Sequence, residues 1–105
     1  MSHFVFFRLD VKSVRGDSVD VIYEKDTLQE ISKVKVWDYN QDIEWVEKEW
    51  DPIEDNEYWK GFKAVKVKQL KEGHTYDIRL IGVNEEKCDI VSTRERVTTG
   101  ESKYI

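Results

Sequence analysis

The sequence predicts an all-β domain built as an antiparallel sandwich of about seven short strands. Several segments alternate apolar and polar residues with a period of two, which is the pattern of a half-buried strand. Polar or glycine-containing turns separate these segments at regular intervals. No segment of ten or more residues carries a clean helical period, so we expect no helix in the core.

The first two strands are predicted at residues 4–14 and 18–23, where apolar residues alternate with polar and charged ones. Arg15, Gly16 and Asp17 interrupt the alternation, and glycine supplies the permissive backbone that a tight turn requires. We therefore expect a hairpin-like pair whose first strand lies at the edge of a sheet.

The third strand, residues 33–39, has two faces of different character. Val34 and Val36 share one face, whereas Trp37 and Tyr39 share the other, because successive side chains of a strand point to opposite sides. If the valines face the core, the two aromatic rings point outward between lysines.

The remaining strands are predicted at four further segments, residues 43–45, 62–70, 76–84 and 90–99. The acidic stretch 47–57 contains Pro52, which cannot donate to a ladder, so we expect a loop outside the sheet or on its rim. The last strand is rather polar, and its charged end suits the edge of a sheet.

A corner is predicted between the segments 62–70 and 76–84. Leu70 ends one alternation, Gly73 provides the turn, and Tyr76 opens the next alternation. We expect this tyrosine to pin the two strands together at the corner.

Length and composition indicate a single domain, residues 1–105, with a core from roughly residue 7 to residue 100. A chain of this size buries roughly 65% of the surface that it exposes when unfolded, so no metal, cofactor or disulfide is needed. The net charge of −5 and the pI near 5.1 argue against direct binding to nucleic acid or to an anionic membrane, because both require a basic surface.

The sequence carries few signals that indicate a cellular compartment. Cys88 is the only cysteine, which excludes an internal disulfide and mildly favours the cytosol. The first residues lack the pattern of a signal peptide, and no apolar run approaches the ~20 residues of a membrane span. The sequence also contains no N-glycosylation sequon.

The order of these motifs resembles a fibronectin type III domain over roughly residues 9–99. The spacing Leu70-x-x-Gly73-x-x-Tyr76 resembles the corner of that family, and residues 97–99 resemble its usual ending. Tyr23 stands where the family usually has its core tryptophan, and Gly82 where alanine is common. The chain is thus similar to a divergent member of the family.

The resemblance implies a seven-stranded, immunoglobulin-like antiparallel sandwich. It also implies structural roles for Tyr23, Leu70, Gly73 and Tyr76, with the Tyr76 hydroxyl bonded to backbone near residues 70–72. For the function, it implies protein partners, tandem neighbours in the same chain and an extracellular or cell-surface setting. The free Cys88 and the missing sequon are also compatible with the cytoplasm.

No combination of residues predicts catalysis or a metal site. His3 and His74 are the only histidines, and with a single cysteine they cannot build a structural zinc site. Cys88 and His74 could pair as nucleophile and base, but the sequence supplies no oxyanion loop and no orienting group. The acidic residues of 51–57 lack the ligand spacing of a calcium loop, so we expect a solvated rim.

Residues Arg15, Gly16 and Asp17 match the integrin-recognition tripeptide. In fibronectin that tripeptide projects from a long loop between the last two strands, whereas here it falls in a tight turn between the first two. A turn that favours glycine and aspartate also raises the frequency of chance matches. A turn is therefore the favoured interpretation, and integrin binding is the alternative.

The outward aromatic residues give a better lead to a binding surface. Trp37 and Tyr39 are predicted to point away from the core. The same holds for Ile81 and Val83 on the strand of Tyr76. These two strands are neighbours in an immunoglobulin-like sandwich, so the four residues could form one apolar patch that contacts a partner. The alternative is that lysine stems cover the rings, or that a bulge turns them inward.

The sequence thus predicts a non-catalytic interaction or spacer module of a larger receptor, adhesion or scaffold protein. Its partners would be another protein or neighbouring domains, with weak self-association as a further mode. Two alternatives remain open: an accessory domain of a secreted multidomain enzyme, and an intracellular adaptor domain.

Overall fold

The computed structural model describes residues 6–55 and 57–100, and these ranges form an all-β sandwich of two sheets. They contain ten strands: β1 (Phe6–Phe7), β2 (Asp10–Val14), β3 (Val19–Glu24), β4 (Glu30–Asp38), β5 (Ile43–Lys48), β6 (Trp50–Ile53), β7 (Phe62–Val67), β8 (Thr75–Val83), β9 (Asp89–Ser92) and β10 (Glu95–Thr98). One short 3-10 turn, Glu57–Trp59, precedes β7, and no α-helix forms in the described ranges. The predicted all-β sandwich is confirmed.

The two sheets have different sizes and strand orders. The six-stranded sheet runs β1-β9-β8-β4-β5, and β10 pairs with β8 beyond the end of β9. The four-stranded sheet runs β2-β3-β7-β6. All pairs are antiparallel except β1 with β9, which is parallel.

The core lies between the sheets and follows the predicted alternation. Fully buried residues come from both layers, among them Leu9, Val19, Val21, Val34, Val36, Val65, Val67, Ile78 and Leu80. Tyr23 is buried too, and its ring meets that of Phe7 edge-on at a centroid distance of 5.9 Å. Burial raises the pKa of the Tyr23 hydroxyl.

Two predicted strands are each divided in the structure. The first divides at Arg8, so that β1 joins the larger sheet and β2 the smaller one. The last divides at Thr93, whose amide donates to Phe7 O at 2.8 Å and whose hydroxyl accepts from Leu9 N at 3.1 Å. These hydrogen bonds fix the point where the chain crosses between sheets.

The acidic stretch contains a strand that the sequence did not predict. β6 pairs with β7 and places Pro52 opposite Val65. β6 is the edge of the four-stranded sheet, so one side of its backbone needs no ladder partner and proline is tolerated there. Pro52 therefore lies at the rim of the sheet, as expected, but its segment forms a strand and not the expected loop.

The corner before β8 is closed by a tyrosine hydroxyl. Lys71 N donates to the Tyr76 hydroxyl at 2.7 Å, within the stretch 70–72 that the resemblance implies. Leu70 is buried, and Gly73 adopts a positive φ of 74°, which glycine accepts without a steric penalty. The corner therefore holds the end of β7 against the start of β8.

Gly82 lies where β8 passes closest to the loop before β4. A Cβ atom at this position would lie 2.6 Å from the Glu30 carbonyl oxygen and 2.7 Å from the Leu28 side chain. Leu28 is buried and closes this end of the core. The absence of a side chain at Gly82 therefore allows Leu28 to pack.

Candidate functional site

The outer face of the six-stranded sheet carries three aromatic rings in contact. Trp37 and Tyr39 point away from the core, and their rings stack at 5.4 Å with an interplanar angle of 15°. Trp45 on β5 meets Trp37 edge-on at 5.8 Å. Both arrangements are favourable aromatic geometries.

Trp45 reaches this position through a strained backbone. The β4–β5 register shifts between Val36 and Asp38, and Trp45 adopts a φ of 46° at this irregularity. A left-handed conformation is unusual for a bulky residue and costs about 1–2 kcal/mol. Contacts made by the Trp45 ring must offset this cost.

Three arginines lie over the faces of the rings. The Arg79 guanidinium lies 4.5 Å from the centre of the Trp45 ring, and that of Arg96 lies 4.6 Å from the Tyr39 ring. Arg94 lies over both indoles, 5.0 Å from the centre of the Trp45 ring and 5.6 Å from that of the Trp37 ring. These are cation–π distances. We call Trp37, Tyr39, Trp45, Arg79, Arg94 and Arg96 the arginine–aromatic ladder.

A buried carboxylate holds the ladder in place. Asp77 lies opposite Trp37 on β8, and its side chain is only 4% exposed. It accepts hydrogen bonds from the Tyr39 hydroxyl at 2.6 Å, from Arg94 Nε at 2.8 Å and from Arg96 Nε at 3.0 Å. Both arginines also donate through Nη2 to the Tyr39 oxygen, at 2.9 and 3.0 Å.

This arrangement keeps Asp77 ionised. Burial alone raises the pKa of Asp77, but the hydrogen bonds from Arg96, Tyr39 and Arg94 outweigh it and hold the pKa below its ordinary value. The same carboxylate raises the pKa of Arg94 and that of Arg96. Three cations above one buried anion leave this part of the face positively charged, on a chain of net charge −5.

The structure does not bring the four predicted patch residues together. Trp37 and Tyr39 belong to the ladder, whereas Ile81 lies opposite Lys33 and Val83 lies opposite Glu30. Ile81 is four residues from Asp77 along β8, which is about 13 Å at the rise of a strand. Arg79 lies between them, so the outward face is divided into a cationic aromatic part and a separate apolar part.

The integrin-type tripeptide lies in a turn that is tied to the rest of the fold. Arg15 forms an ion pair with Asp20 and donates from Nε to the Ser18 hydroxyl at 2.8 Å. Asp17 O accepts from Leu70 N at 3.0 Å. The guanidinium that a receptor would contact is therefore engaged within the domain.

Within the described residues, His74 lies apart from Cys88 and does not pair with it. His3 lies outside the described residues, and His74 and Cys88 flank opposite ends of the nine-residue strand β8. His74 Nδ1 instead lies 3.0 Å from the buried carboxylate of Asp38. Burial alone raises the pKa of Asp38, but the bonds from His74 and from the Gln41 and Asn40 amides lower it below its ordinary value. No group of three or more potential metal ligands occurs within residues 6–55 and 57–100.

Sequence reasoning missed the arginines of the ladder and Asp77. One signal could have found them: Arg94 and Arg96 have the same two-residue spacing as Trp37 and Tyr39. When two strands of one sheet carry residues at the same spacing, the side chains of those residues can contact each other across the sheet. The strand of Asp77 lies between the two pairs.

No protein-family model, curated protein or solved structure matches this chain. The described residues also include no helix that is long and apolar enough to cross a membrane.

Proposed function

We propose that this chain is a non-catalytic interaction domain that contacts another protein through the outer face of its six-stranded sheet. Its sandwich would be of the seven-stranded fibronectin type III kind. The hydrogen bond between Lys71 N and the Tyr76 hydroxyl supports this assignment, because the tyrosine corner is a hallmark of such sandwiches. The parent protein would be a receptor, an adhesion protein or a scaffold.

The arginine–aromatic ladder is the observation that carries the proposal. Tryptophan, tyrosine and arginine dominate the binding energy of protein interfaces. Here Asp77 already holds Tyr39, Arg94 and Arg96 in place, so ordering these side chains on binding would cost little conformational entropy. The guanidinium groups of Arg94 and Arg96 remain partly exposed and can receive carboxylates of a partner.

The strain at Trp45 supports the same interpretation. A backbone conformation that costs free energy persists only where the surrounding structure holds it, and such residues concentrate at functional sites. Of the four non-glycine residues with a positive φ in the described ranges, Trp45 is the bulkiest, and it brings a third ring to the outer face.

A photo-crosslinking experiment in the intact parent protein tests the proposal. Benzoylphenylalanine replaces Lys33 on the outer face or, as the matched control, Lys12, an exposed lysine on the other sheet. We expect irradiation in the native cells to give a defined protein adduct from position 33 only. Equal yields from both positions, or no adduct from position 33, would contradict the proposal.

A further inference from the structure

The outer face carries opposite charges at its two ends. Near one end, β4, β8 and β9 place Glu30, Val83 and Asp89 side by side in register. Both carboxylates are exposed, and Val83 is partly exposed between them. This row is therefore acidic.

Two residues along β8, the next outward row is mostly apolar. Ile81 lies between Lys33 on β4 and Val91 on β9, and Val91 in turn lies beside Phe6 on β1. Phe6 is 51% exposed, because its neighbour Phe7 takes the core position. Lys33 is paired with Glu47 at 3.5 Å, so its charge is partly neutralised.

Two residues further along, the outward row is mostly cationic. Arg79 lies opposite Lys35 on β4, and the edge residue beside Lys35 on β5 is Glu47, whose carboxylate is paired with Lys33. On the other side, Arg94 immediately precedes the Glu95–Ile78 pair and extends over the Trp37 and Trp45 rings. The acidic row and the cationic row are thus equally distant from the row of Ile81, about 7 Å on either side at the rise of a strand.

We propose that the occupant of this face is a second copy of the same chain, related by a two-fold axis that runs across the strands through the row of Ile81. This inference rests on the proposed function, since it names the partner of that face. The rotation exchanges the acidic and cationic rows. Lys35 then meets Glu30 of the other copy, and Arg94 meets Asp89 of the other copy. The apolar row packs against itself.

The charge pattern favours a second copy over an unrelated acidic protein. A two-fold contact uses the same patch twice, so the patch must be complementary to itself, and two oppositely charged rows about an apolar centre meet that condition. An acidic partner would be attracted by Arg79 and Arg94 but repelled by Glu30 and Asp89. Face-to-face contact with nearly aligned strands is also a common way for two sheets to pack.

Charge reversal at one predicted pair provides the test. Sedimentation equilibrium is measured from micromolar to near-millimolar concentration for wild type, Glu30→Lys and Lys35→Glu. We expect wild type to form a dimer, and each single variant to dissociate about tenfold more readily, because two attractive contacts become repulsive. An equimolar mixture of the two variants should form a heterodimer, since both of its cross-contacts are attractive again.

Matched controls come from the other sheet. Glu24→Lys and Lys12→Glu make the same charge changes on exposed residues of β3 and β2, and mixing these two should have no effect on association. Unfolding midpoints of all variants show that the fold is retained. A monomeric wild type at near-millimolar concentration would overturn the inference, as would a dimer that is insensitive to residues 30 and 35.

The two proposals can fail separately. If wild type is monomeric but position 33 crosslinks to a different polypeptide, the inference of a second copy fails and the interaction function stands. If position 33 gives no adduct and the chain is monomeric, both fail.

Discussion

The Tyr39 hydroxyl donates a 2.6 Å hydrogen bond to the buried carboxylate of Asp77 on the neighbouring strand. The same oxygen accepts from Arg94 and Arg96, so one phenol links the anion to both of its cations. An outward-pointing tyrosine of a sheet is usually held only by packing. In this chain it is held by a closed set of charge-assisted hydrogen bonds.

We expect acid to lower the stability of the fold by protonating Asp77. The pKa of this carboxyl is lowered in the folded chain, so its contribution to stability is complete above the unfolded pKa of about 3.9 and is lost as the pH falls through the folded pKa. Asp38 acts in the same direction. We expect the free energy of unfolding in urea to decrease below about pH 4.

Asp77→Asn isolates this contribution. The variant should lose about 2 kcal/mol near pH 7, as expected when hydrogen bonds to a buried charge are removed, and its stability should depend less on pH. Asp51→Asn is the control, because Asp51 is exposed and its ion pair with Lys68 is expected to contribute little. Parallel pH profiles for Asp77→Asn and wild type would refute the role given to Asp77.

Tyr76→Phe should destabilise the domain by about 1–2 kcal/mol, because the partly buried amide of Lys71 loses its acceptor. Midpoints of chemical denaturation measure the loss. Ser32→Ala, which removes the hydroxyl of an exposed residue on β4, should change stability by less than about 0.5 kcal/mol. An unchanged midpoint for Tyr76→Phe would remove the main structural support for the fibronectin type III assignment.

Gly82→Ala should destabilise the domain by about 2 kcal/mol, because the new methyl group would overlap with the Glu30 carbonyl and displace Leu28. Gly16→Ala is the matched control, since a Cβ there meets its nearest neighbours at an ordinary 3.7 Å. Thermal unfolding of the two variants gives the comparison. Equal melting temperatures would show that the loop around Leu28 can move aside without cost.

Two substitutions at Trp45 separate its backbone strain from its ring contacts. Trp45→Gly and Trp45→Ala both remove the ring, but only glycine adopts a φ of 46° without a steric penalty. We therefore expect the glycine variant to be more stable than the alanine variant by about 1 kcal/mol, the reverse of the usual order in a strand. The usual order would indicate that the left-handed conformation relaxes once the ring is removed.

The alternation of Val34 and Val36 with Trp37 and Tyr39 was sufficient to predict which side chains face the core. The face of a strand to which a side chain points depends only on the two-residue period, so local sequence is enough to predict it. The two-sheet sandwich follows from the same periodicity repeated along the chain.

The composition of the outer face depends on register, which local sequence does not encode. β4 pairs with β8 so that Trp37 lies opposite Asp77 and Lys33 opposite Ile81, which places Ile81 four residues away from the level of Trp37. The position of Trp45 likewise depends on a positive φ that the neighbouring residues do not predict. Charged residues of the last strand were interpreted as protection of a sheet edge, whereas two of them pack on aromatic rings.

The edge-on contact between Trp37 and Trp45 also has an optical consequence. Two indoles 5.8 Å apart at 82° are close enough for their electronic transitions to couple, which gives a paired signal in circular dichroism that isolated tryptophans lack. Arg94 lies over both rings, so any molecule that displaces this guanidinium changes the surroundings of the coupled pair. The face thus contains a native spectroscopic reporter, and its occupancy can be followed without attaching a dye.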